Sequence, residues 1–141
     1  MSKKFQKEGN HKIFLGGTCA ETTWREIVIP FLVFDYYNPQ KEKWTEDQYQ
    51  IEEYEKDVAC DIHYYVLTSE MKGIYSIAEI MDSVHQSDKL TIVQIVPTGF
   101  NKGMMNSLTA LQRLIEKRGG IVCIDNDLQK GMAALNKIIL S

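Results

Sequence analysis

Long apolar runs, cysteine, glycine-rich phosphate signatures and excess positive charge are all scarce in this chain. No apolar stretch reaches the roughly 18 residues a membrane span needs, so no spanning helix is expected. The opening MSKKFQKEGNHK has no apolar core of the kind a secretion signal needs. Residues 1–11 therefore read as a flexible leader. The three cysteines, Cys19, Cys60 and Cys123, stand far apart and in odd number. That excludes a disulfide framework and implies reduced thiols in a cytoplasmic protein. No His, Cys or carboxylate set has metal-ligand spacing, so no metal is expected. Gly16-Gly17-Thr18 lacks both G-x-G-x-x-G and the Walker lysine, so no cofactor is implied. Sixteen basic against nineteen acidic residues leave a net charge of −3. A nucleic-acid polymer, which demands a basic face, is an unsuitable partner, but a small anion at a helix N-terminus is not excluded.

What is present is a globular composition, 44% hydrophobic and 25% charged over 141 residues, enough for one core. Residues 12–141 read as a single domain without repeats, low-complexity tracts or linkers. Short β-branched runs alternate with helical patterns. The strands expected are Lys12–Gly17, Val33–Tyr37 (stopped by Asn38-Pro39), Ile62–Leu67, Lys89–Pro97 and Ile121–Ile124. Between them fall a helix from Thr23 towards Pro30, one from Thr45 to about Val58, one from Ser76, an amphipathic one over Met104–Lys117 closed by Gly119-Gly120, and a last over Leu128–Leu140. Thr23/Glu26, Thr45/Gln48 and Ser76/Glu79 each fit a capping box. The alternation predicts an α/β fold: three layers around a five-stranded parallel sheet of flavodoxin-like order 2-1-3-4-5. Ligands of such sheets bind at the carboxyl ends of the strands where the order reverses, here between the first and third strands.

Glu79 heads the candidate residues because it opens the helix beside that switch point. It can be a nucleophile or base, or the reciprocal partner of the Ser76 cap; on pattern alone the cap is the commoner reading. Glu52, Glu53 and Glu55 read by default as a solvated helix face. Asp61, at the amino end of its strand, and His63, among apolar neighbours, read as structural. Cys19 has no basic partner close in sequence and reads as inert. Trp24 and Trp44 could stack a base, although packing is the commoner role of tryptophan.

Taken together, IFLGG, TCAETTWRE with Trp24-Arg25, FDYYNP, and the spacing from Glu53 through Asp61 to Glu79 resemble the nucleoside 2-deoxyribosyltransferase family and its deoxynucleotide N-glycosidase relatives. The resemblance runs from about Lys12 to Ile95. It implies that Glu79 is the nucleophile that attacks the anomeric carbon, and that Glu53 orients sugar or nucleophile. It also implies a substrate held by Phe14, Gly16, Gly17 and Thr18 of the first strand and its turn, by Trp24, by Asn38 at the Asn-Pro corner, and by Gly73, Tyr75 and Ser76 ahead of the nucleophile. Gly73 stands where relatives carry an aspartate, and Phe14 where they carry a tyrosine.

The activity implied is cleavage of, or base exchange at, the N-glycosidic bond of a nucleoside or nucleotide by double displacement, as in retaining glycosidases. Glu53, Glu70 and Tyr75 are alternative acids for the leaving base. Thr18 and Ser76 are suited to a sugar hydroxyl or 5′-phosphate. Relatives commonly complete the site from a neighbouring subunit, so a homo-oligomer, dimer or higher, is implied, with Met104-Met105-Asn106 a candidate contact. Two other readings stand beside this one: a non-catalytic module that binds or sequesters a nucleotide, and a TIR-like NAD glycohydrolase.

Overall fold

The computed structural model describes residues 11–19, 23–39 and 45–140. Residues 1–10 of the expected leader and Trp44 lie outside the described residues. Strand β1 (Lys12–Gly17) is followed by helix α1 (Trp24–Val28), a 3₁₀ turn (Ile29–Phe31) and β2 (Asp35–Tyr37). Helix α2 (Glu46–Tyr54) continues as a π turn (Glu55–Ala59) into β3 (Ile62–Leu67) and α3 (Tyr75–Val84). The chain ends with β4 (Leu90–Ile95), α4 (Lys102–Lys117), β5 (Ile121–Ile124) and α5 (Leu128–Leu140).

All neighbouring strands pair in parallel, in the order β2-β1-β3-β4-β5. A strand turns successive side chains to opposite faces, and β1, β3 and β4 are buried on both. Ile13, Leu15, Ile62, Tyr64, Val66 and Ile92 form one core with Trp24 and Val28 of α1 and Met132 and Leu135 of α5. Phe14, Tyr65, Leu67, Val93 and Ile95 form the other with Ile80 and Val84 of α3 and Leu108 and Ile115 of α4. The central strands are therefore continuous apolar runs instead of alternating ones, as parallel sheets require.

Helix starts depart from the sequence reading in instructive ways. Only Thr45/Gln48 forms a capping box, with Gln48 N donating to Thr45 Oγ1 and Thr45 N to Gln48 Oε1, both at 3.3 Å. Thr23 caps nothing with its side chain; its ψ of 10° departs from the extended conformation of Thr45. The Ser76/Glu79 box is overturned as well. Helix α3 starts one residue earlier, Ile74 is its N-cap without a side-chain bond, and the Glu79 carboxylate bonds elsewhere. Helix α4 begins at Lys102 because Asn101 caps it, accepting from Met104 N at 2.8 Å. Strand β2 is shorter than expected, since Val33 and Phe34 form a bend ahead of it.

The sheet's amino end is tied by Asp61, which accepts from Lys12 N at 2.8 Å and bonds the His11 ring at 2.6 Å. His11, assigned from sequence to the leader, is thus buried. No helix of the described residues is long and apolar enough to cross a membrane.

Candidate functional site

A cleft of about 320 Å³ opens at the carboxyl ends of β1 and β3, the point where strand order reverses. Its floor is backbone. Thr18 N donates to Val66 O at 2.9 Å, so the chain leaving β1 stays paired edge to edge with β3. This close approach explains Gly17: it holds φ 110°, and a Cβ there would collide with the Val66 main chain. Gly16 is packed under the Tyr65 ring in the same manner.

Two buried side chains of α1 pin the turn above this floor. Trp24 Nε1 and Arg25 Nη1 both donate to Thr18 O at 2.8 Å, Arg25 Nε donates to Leu15 O at 3.1 Å, and Arg25 Nη2 reaches Cys19 Sγ at 3.4 Å. The guanidinium stacks 4.2 Å from the Trp24 ring and is 1% exposed, and burial lowers its pKa. Thr18 Oγ1 meanwhile accepts from Thr68 N at 3.0 Å. Thr18 and Cys19, held by Trp24 and Arg25, therefore form a fixed shelf, and Trp24 is part of its support, outside the wall of the cleft.

The walls come from two helices. Helix α2 contributes Tyr49 and Glu52, and the segment after β3 contributes Met71, Lys72, Gly73, Tyr75, Ser76 and Glu79. Glu79 Oε2 accepts from Lys56 Nζ at 3.0 Å, with side chains only 10% and 12% exposed. Lys56 sits in the π turn, and π turns recur at functional sites. Burial disfavours its ammonium, but the Glu79 carboxylate and Glu52 outweigh that, and the pKa is raised. Glu52 is shifted upward too, by burial first and by repulsion from Glu79 second. A pair of acids in one cleft, one ion-paired and one pushed toward its protonated form, is the arrangement that general acid and nucleophile roles require.

The expected site residues divide as follows. Gly17, Thr18, Gly73, Tyr75, Ser76 and Glu79 are brought together on the cleft. Glu53 is exposed and Glu52 takes the wall position; adjacent helical residues point about 100° apart, so only one of the pair can face the cleft. Phe14 is fully buried behind it, its ring centroid 6.0 Å from Tyr37 and 5.7 Å from His63. Asn38 is half-buried and not on the wall. Trp24 and Glu70 line a second cavity of about 290 Å³ beside Thr68 and Asn126. Sequence reasoning passed over Lys56, Tyr49, Met71 and Lys72. The four-residue spacing of Glu52 and Lys56 is the one signal that marks Lys56. Among the described residues no group of three or more His, Cys, Asp or Glu is arranged to hold a metal.

Residues 10–100, well over half of the chain, match a family model described as nucleoside 2-deoxyribosyltransferase like. A comparison with curated proteins finds no match.

Proposed function

Since the chain belongs to the nucleoside 2-deoxyribosyltransferase-like family, we propose that it breaks the N-glycosidic bond of a deoxynucleoside or its 5′-monophosphate with Glu79 as nucleophile. The observation that carries this reading is a carboxylate on the wall of the switch-point cleft, backed by an ammonium at 3.0 Å and faced by a second acid. In the first displacement a Glu79 oxygen bonds to C1′ as the C1′–N bond breaks, and the bond's electron pair leaves with the base. Glu52, biased toward protonation, is the acid that protonates the base, the role the sequence assigned to Glu53, Glu70 or Tyr75. In the second displacement water or an incoming base bonds to C1′ and returns the carboxylate. The transition states resemble oxocarbenium ions, which an adjacent carboxylate stabilises. Ser76, at the start of α3, and Lys72 are suited to a hydroxyl or phosphate of the substrate.

Free base is to be measured by chromatography after incubation with deoxynucleosides, deoxynucleotides and NAD. Base release from the first two classes is expected, and Glu79→Gln should lower it by about a thousandfold or more with the fold retained. Wild-type rates in Glu79→Gln would overturn the assignment of the nucleophile. Release from NAD alone would favour a NAD glycohydrolase, and retention of a nucleotide without release a sequestering module.

A further inference from the structure

Glu79 has two oxygens, and they are not equivalent. Oε2 is bonded to Lys56 Nζ, whereas Oε1 makes no hydrogen bond to any described residue. Lys56 does not line the cleft, although Glu79 does. Its side chain is 12% exposed, and the ammonium lies 6.0 Å from both the Phe14 ring beneath and the Tyr75 ring. Lys56 itself is held in place. The His63 ring nitrogen Nε2 lies 2.6 Å from Lys56 O and must donate to it, since a carbonyl only accepts. Nδ1 of the neutral ring then accepts from Ser83 Oγ at 2.6 Å, and Ser83 in turn accepts from Thr91 Oγ1 at 2.7 Å. The π turn thus presents a fixed cation to one oxygen of a cleft carboxylate.

Resting on the reading of Glu79 as nucleophile, we infer that Lys56 is a positioning residue that reserves Oε1 for attack on C1′ and speeds the second displacement. In the first step Oε1 donates its lone pair to C1′, and the departing base takes the C1′–N pair. The resulting ester keeps Oε2 as its carbonyl oxygen, still bonded to Lys56. In the second step the C1′–Oε1 bond breaks, its pair returns to Glu79, and water or a second base bonds to C1′. The water proton passes to Glu52, left as a carboxylate by the first step. Negative charge reappears on the carboxylate in that step, beside the ammonium. Lys56 therefore favours ester breakdown and restrains ester formation, because the ionised carboxylate is the form it stabilises. Around Glu79 the other charged or titratable groups are Glu52 of α2, Arg25 of α1, Tyr65 of β3 (whose hydroxyl reaches Glu79 O at 3.5 Å) and Tyr75 of α3 itself.

The test is rapid-quench kinetics of base release by the wild type, Lys56→Met and Lys56→Arg, with intact-mass detection of the glycosyl-enzyme. Lys56→Met is expected to show a burst near one base per site, then a steady state roughly ten- to a hundredfold slower than wild type, with the covalent adduct visible; the range is that of one charge-assisted hydrogen bond. KM should fall along with kcat, because the ester accumulates. Lys56→Arg should restore most of the steady-state rate. A merely structural tie would slow both steps together, so a slow Lys56→Met without a burst overturns the inference, as does an unchanged rate. Should Lys56→Met fail to fold, Lys56→Gln replaces it with the same expected burst. A wild-type protein that releases no base overturns the parent reading and this one with it, whereas wild-type turnover with an unaltered Lys56 variant overturns this one alone.

Discussion

His63 lies in mid-strand on β3, fully buried, with both ring nitrogens bonded. Its neighbours in sequence, Ile62 and Tyr64, already mark it as an interior residue, and the structural role expected for it follows from that local context, as that of Asp61 follows from its place at the amino end of the strand. Burial lowers the pKa of its ring to about 4, against an unfolded value near 6.5. Below pH 6.5 the unfolded chain takes up a proton that the folded chain refuses, so stability falls as pH drops through the window from 6.5 to 4. Above 6.5 the group contributes no pH dependence. Denaturant titrations at pH 7 and pH 4.5 should show His63→Gln losing on the order of 2–3 kcal/mol less than wild type over that interval. Equal losses in the two proteins would remove the assignment. The site is less legible at this scale. Glu52 and Glu53 have the same chemistry and adjacent positions, and a phase difference of one residue decides which meets the cleft. Glu79 fits a cap by spacing, yet a buried ammonium from a different helix competes successfully for its carboxylate.

At the scale of elements, β1, β3, β5 and α5 are read correctly to the residue; for the strands, a short apolar run rich in β-branched and aromatic residues and bounded by glycines or polar turns has few alternatives. The π turn is not legible. Its extra residue leaves no mark in a 3.6-residue pattern, and it is what brings Lys56 to Glu79. Capping boxes overstate themselves for a related reason: the spacing specifies which residues are suitable, and the backbone angle at the cap decides whether they bond. Thr45→Ala should therefore cost about 1 kcal/mol in chemical denaturation, while Thr23→Ala and Ser76→Ala cost no more than a few tenths. A loss at Thr23 or Ser76 equal to that at Thr45 would contradict the bonding seen here.

Across the whole molecule the order 2-1-3-4-5 is legible from alternation and chain length alone, since right-handed crossovers leave few ways to cover both faces of a parallel sheet. What sequence does not show is which apolar residues stay uncovered. Helix α2 buries none of its residues, and Tyr49, Ile51, Tyr54 and, in the π turn, Val58 are each at least half exposed. The homo-oligomer that the family resemblance implies would cover this face, and Tyr49 would place the contact at the rim of the cleft. We expect light scattering to report a dimer or larger species that dissociates on dilution, and Tyr54→Lys to shift it toward monomer. A wild-type monomer at every accessible concentration would contradict this.

The tight pairing of β1 with β3 at Gly17 and Val66 divides the pocket by tolerance to change. Its base consists of peptide groups in contact, where even a single methyl has no room, while Tyr49, Met71, Lys72 and Tyr75 stand on partly exposed surfaces around it. If the cleft holds the substrate as proposed, its preference is expected to be rewritten from the sides, by selection or by engineering, without disturbing strand order. Libraries that spare residues 16–18 and Met71, which packs against the core, and randomise Tyr49, Lys72 and Tyr75 should keep their folded fraction while their choice of substrate drifts.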